Sequence, residues 1–165
     1  MSSGTRAGWL FAALLGASGC ERKSPLAEAY VGTVRERARV QQDTGPKKPD
    51  GSVPVAWWTT DRPQSNVRVR VKAAGEQRYR IELLGCTVEV ELDAPPNDHA
   101  GRVVQRPQQF CPIAVDHYDG VLFVTGTVTV DRATKFLSVH VAASNRDPSP
   151  HVEWSLTFEG RAGAE

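Results

Sequence analysis

The chain has 165 residues, with 20 Lys+Arg against 19 Asp+Glu, which is room for one domain. A hydrophobic content of 40% with 24% charged residues excludes a wholly disordered chain. A net charge of +1 excludes a nucleic-acid binder that works by bulk electrostatics, and 14 glycines and 11 prolines disfavour long helices.

Arg6 is the only charged side chain before Glu21, and Ala7 to Ala17 is an unbroken run of apolar or small residues. That run is shorter than the ~20 residues a spanning helix needs. Behind a positive start it has the form of the apolar region of a secretory signal. Ala17-Ser18-Gly19-Cys20 then resembles the lipobox of bacterial lipoproteins: an aliphatic residue, two small residues and a cysteine. Ala17 stands where leucine is commonest. The resemblance implies that Cys20 becomes the first mature residue and carries a diacylglyceryl thioether and an acylated amine. The membrane is then a partner through the anchor, and more than one acyl chain makes such an anchor durable. A plain cleaved signal and an uncleaved short anchor are the alternatives. The expected organisation is a signal peptide over 1–19, a tether over 20–29, a β domain over 30–160 and a tail over 161–165. Glu21 replaces the aspartate that retains some lipoproteins at the inner membrane. The expectation is therefore the cell envelope, the outer membrane rather than the inner, with the domain in the periplasm or at the cell surface.

With Cys20 lipidated, Cys86 and Cys111 remain as a pair. In an oxidising envelope such a pair is most simply a disulfide. It closes a loop of about 25 residues and contributes about 3 kcal/mol in the chain-entropy picture. The alternative, a metal or redox pair, fits poorly, because the spacing is not C-x-x-C and no histidine lies within a few residues.

Alternation of apolar and polar residues dominates the rest. Tyr30 to Val40 is a first strand, with Arg35, Arg37 and Arg39 on one side. Residues 41–54 hold three prolines and two glycines and form no regular element. Val55 to Thr60 is a short second strand whose adjacent tryptophans point in opposite directions. Val67, Val69 and Val71 share a face, as do Tyr79, Ile81 and Leu83, then Cys86, Val88, Val90 and Leu92. The inward parity changes at Leu84-Gly85, which requires a bulge or a tight bend. Residues 94–101 read as a loop and 102–106 as a short strand. Leu122, Val124, Val128 and Val130 share one parity with Gly126 among them, and residues 131–134 connect them to Leu137, Val139, Val141 and Ala143. After a turn at 145–150, Val152, Trp154, Leu156 and Phe158 alternate with polar residues. The expected fold is all-β, an antiparallel meander of about eight strands closed as a barrel, with a two-sheet sandwich as the alternative and one disulfide. Tyr30-Val31-Gly32-Thr33 faintly resembles the Gly-x-Trp opening of lipocalin-like barrels, without the tryptophan.

His99, His117, His140 and His151 show no metal-ligand spacing, so no metal and no cofactor are expected. Asp116-His117-Tyr118-Asp119 is the densest polar cluster, and its composition reads as a turn. No nucleophile elbow and no phosphate-cradling glycine loop is present. Arg35, Arg37, Arg39, Arg68, Arg70, Lys72, Arg78 and Arg80 all fall on outward parities. On neighbouring strands they form either a lattice of ion pairs with Glu82, Glu89, Glu91 and Asp93, or a dock for an anionic envelope polymer or an acidic protein. The expected function is a non-catalytic envelope lipoprotein whose β domain is an interaction or structural module. The alternative is a lipocalin-like carrier of a small apolar ligand.

Overall fold

A computed structural model describes residues 26–93, 98–104, 109–145 and 150–163. Within them the chain forms nine strands: β1 (Ala29–Asp43), β2 (Val55–Gly75), β3 (Arg78–Leu83), β4 (Cys86–Leu92), β5 (Asp98–Val103), β6 (Phe110–Val115), β7 (Tyr118–Asp131), β8 (Phe136–Asn145) and β9 (His151–Ala162). All pairings are antiparallel, and there is no helix among the described residues. β1 pairs with β2 on one side and β9 on the other, and β5 pairs with both β4 and β7. The ring β1–β2–β3–β4–β5–β7–β8–β9 therefore closes into an eight-stranded barrel, which removes most open edges. β6 is the extra strand. It lies on the same edge of β7 as β5, against Tyr118–Phe123, while β5 takes Thr127–Asp131.

The alternating residues fill the interior. Tyr30, Val34, Ile81, Leu83, Leu92, Ile113, Leu137 and Phe158 are fully buried in one apolar cluster. Each such side chain contributes about 1.5–3 kcal/mol relative to leaving it in water. At Gly126 a side chain would run into the His140 carbonyl of β8, so β7 and β8 approach one another there more closely than a side chain permits. Leu84 (φ 39°) and Gly85 (φ 83°) form the two-residue turn between Leu83 and Cys86, which is the tight bend required by the parity change.

Several expectations are corrected. β1 runs on to Asp43, into the 41–54 segment expected to be irregular. The second strand does not stop at Thr60: it runs on through Asp61–Asn66 and joins the Val67–Val71 segment as one strand. A register shift opposite Gly32–Val34, with Asn66 at φ 60°, restores the inward parity. The strand expected over 102–106 begins at Asp98 and ends at Val103, so residues 98–101 are strand rather than loop. β6 was unexpected, because Pro112 interrupts its pattern. Residues 1–25, and hence Cys20, lie outside the described residues, as do 94–97, 105–108, 146–149 and 164–165. β9 extends to Ala162, past the expected domain end at residue 160.

Candidate functional site

The ring has one stretch of incomplete wall. β2 pairs with β1 along nearly its whole length, but with β3 only from Arg70 onward. β3 and β4 turn back at Leu84-Gly85, and β4 makes its ladder with β5 only over Val90–Leu92. Between the upper half of β2 and β6 no ladder forms among the described residues. Covalent and side-chain links span this window instead. Cys86 at the start of β4 is disulfide-bonded to Cys111 of β6, with Cα atoms 5.0 Å apart and both residues buried. The Gln109 side chain accepts a bond from the Glu89 amide at 3.1 Å, in place of a backbone partner.

Both strands that border the window carry a proline. Thr44 donates to the Pro54 carbonyl and Val124 to the Gln109 carbonyl. Alternation along an antiparallel ladder then places Arg35 opposite Pro63, and Pro112 opposite Val121, in non-bonded pairs. The nitrogens that lack a hydrogen thus face the gap, where strand addition would need a donor.

The residues that line the window from inside are polar. On β1 the buried parity runs Tyr30, Val34, Ala38 and Val40, and Glu36 stands on it. Arg62 of β2 and Leu156 of β9 are its neighbours across the ladders. Only 16% of the Glu36 side chain is exposed. Its Oε1 accepts a hydrogen bond from Trp154 Nε1 at 2.9 Å, and its Oε2 lies 4.0 Å from Arg62 Nη1. Arg62 Nη2 donates to Asp116 Oδ1 at 3.1 Å, and Thr60 Oγ1 lies 3.4 Å from Asp116 Oδ2. A cavity of about 390 Å³ opens here, with Glu36, Gln64 and Trp154 among its lining and Leu84, Pro112 and Leu156 as its apolar wall. Nearby, the His117 ring packs 4.0 Å from Trp58, and the Gln42 amide donates to the His117 carbonyl at 2.9 Å. Asp116-His117 is therefore the turn expected from its composition, and the two side chains take different partners. Glu36, Arg62 and Gln64 were not among the expected site residues. The available signal was a carboxylate at an inward parity of β1.

The arginine stripe comes together as neighbouring strands on the outer face, largely as an ion-pair lattice. Arg35 and Arg37 both approach Asp61, at 2.6 and 3.5 Å. Lys72 meets Glu82 at 2.7 Å, Arg78 meets Glu91 at 3.5 Å and Arg80 meets Glu89 at 4.0 Å. Arg39 lies 3.8 Å over the Trp57 ring. The Arg35 guanidinium holds the Asp61 carboxyl below the ordinary carboxylate range, and the Lys72 ammonium does the same for Glu82. Arg70 stands opposite Glu82, whereas Arg68 stands opposite the exposed Val31 and has no ion pair among the described residues. Arg68 and Arg70 line a second cavity, of about 560 Å³, beside Leu26–Ala29.

His140 is exposed, with Nδ1 3.1 Å from Thr157 Oγ1, and His151 lies 3.4 Å from Glu153. Among the described residues no group of three or more His, Cys, Asp and Glu could hold a metal ion, and no helix is long and apolar enough to cross a membrane. Comparison with protein families, with curated proteins and with solved structures finds no match to this chain.

Proposed function

We propose that this chain is a lipid-anchored protein of the cell envelope, of the outer membrane rather than the inner, whose barrel acts through its surface as an interaction or structural module and performs no chemistry of its own. The observation that carries this reading is the filled interior: Tyr30, Ile81, Leu137 and Phe158 are fully buried in one apolar cluster, in the space a carrier would keep for its cargo. A barrel of eight strands is wide enough for side chains or for one small ligand, and here side chains take the space. The lipocalin-like carrier of an apolar ligand is the second reading. The barrel favours it, but the polar lining of the window weighs against an apolar guest. Anchoring rests on the resemblance of Ala17–Cys20 to a lipobox.

The outer surface is the working part in this reading. Arg68 and Arg70, the least neutralised arginines of the stripe, lie beside Leu26, where the tether meets the barrel. They are the residues to which an anionic polymer or acidic protein of the envelope would bind, while Arg35, Arg37, Arg78 and Arg80 mainly hold the lattice and Arg39 lies over Trp57.

Two experiments test the proposal. Cys20→Ala is expected to release the protein into the soluble periplasmic fraction, and continued extraction only by detergent would overturn the anchor. A native mass spectrum of the mature protein is expected to show the acylated chain alone. An additional non-covalent mass that leaves on collisional activation would replace the surface module with the carrier.

A further inference from the structure

The window cavity holds a carboxylate with unused capacity. An ionised carboxylate offers about four acceptor sites. Among the described residues Glu36 accepts one hydrogen bond, from Trp154, and the Arg62 guanidinium at 4.0 Å is beyond hydrogen-bonding distance. The exposed Gln64 side chain lies at the rim of the same cavity, whereas the Glu36 carboxylate is largely buried. A largely buried group left short of partners is costly, and in a native protein it calls for an explanation. Arg62 makes its shorter contact to Asp116, and among the described residues Glu36 is the only charged side chain that lines the cavity. The remainder of the lining is mostly aliphatic, with Leu84, Pro112 and Leu156 facing a guest.

We propose that this cavity binds a primary ammonium carried on a short aliphatic stem. The ammonium donates to Glu36 and Gln64, and the stem lies along the apolar wall beside Trp154. An anion would meet the Glu36 charge, and a neutral apolar guest would bury that charge without a donor. The prolines that face the gap exclude a strand as the guest but leave room for a head group on a stem. A free alkylamine and a lysine side chain of a partner share this chemistry. The inference stands apart from the anchor and from the proposal of a surface module, since it depends only on residues of the barrel.

The Trp154 indole N–H, bonded to Glu36, is the natural reporter. The ¹⁵N-labelled protein is titrated with n-pentylamine, with an N-acetylated, C-amidated lysine, and with pentan-1-ol at constant ionic strength. The Trp154→Phe variant assigns the indole resonance. A saturable shift with n-pentylamine is expected, with pentan-1-ol roughly tenfold weaker or worse. Glu36→Gln keeps an acceptor for Trp154 and is expected to lose roughly tenfold in amine affinity while binding of the alcohol is unchanged. Binding of both amines assigns the guest to a partner's lysine, and binding of n-pentylamine alone assigns it to a free amine. No saturable shift with n-pentylamine, an alcohol that binds as well as the amine, or a folded E36Q that binds the amine like the parent would each overturn the proposal. The comparison of amine with alcohol in the unaltered protein decides the matter even where E36Q fails to fold.

Discussion

Between β7 and β1 the barrel wall is continuous backbone ladder, whereas β2 meets the end of β6 through the Arg62–Asp116 ion pair and the Trp58–His117 ring contact, and a disulfide ties β6 to β4. In the first sector Val139, Val141, Leu156 and Phe158 supply an apolar inner face without a polar interruption. In the second, Thr60, Arg62 and Gln64 stand opposite Ala38, Glu36 and Val34, and of these three polar residues only Thr60 is buried. The contrast shows what a ladder does for its neighbours. Where strands pair on both sides, water is excluded and apolar side chains are stabilising. Where one partner is missing, water and side-chain polar groups satisfy the exposed backbone, and the inner face turns polar with it.

The contrast predicts where damage is greatest. Phe158→Ala, in the continuous sector, is expected to cost about 3–5 kcal/mol, through lost burial and the cavity left behind. Urea unfolding measures it. Replacing Cys86 and Cys111 together by serine is expected to cost about 3 kcal/mol. Hydrogen exchange is expected to accelerate in β6 while β8 and β9 keep their protection, and uniform acceleration would erase the distinction between the sectors. Trp154→Phe keeps most of the ring but removes the donor to Glu36, with an expected cost of about 1–3 kcal/mol. The smallest effect belongs to the outer lattice. Because Arg35 lowers the Asp61 carboxyl in the folded protein, the pair stabilises at pH values above the ordinary carboxylate range. That contribution is lost as pH falls through the lowered value. Asp61→Asn is therefore expected to flatten the acid limb of a stability profile slightly and to leave the high-salt profile almost unchanged.

The same contrast divides what could be read in the sequence. Alternation around Val139 and Phe158 was legible, because each strand there has one buried and one wet face. Residues 61–66 were not legible as strand, since Asp61–Asn66 pair only with β1 and are exposed throughout, so nothing imposes a period of two. β6 was hidden by Pro112, whose place in a strand depends on facing the gap rather than β7. The disulfide followed from counting cysteines and from the expectation of export. The window did not, because β2 and β6 approach one another only through the closed ring, and no local pattern encodes that meeting. Glu36 alone left a trace, a charge in phase with the buried Val34 and Ala38.

The position of β1 between β2 and β9 has a consequence in time as well as in space. β1 is made first and finds β2 at once, but its other edge stays open until Val152–Ala162 arrives, since Tyr30 pairs with Ala162 and Gln41 with His151. Chain closure over nearly the whole domain is slow compared with the local hairpins. Under the proposed export, the chain completes its ring only after the last strand has emerged. Until then it presents one long sticky strand to whatever escorts it.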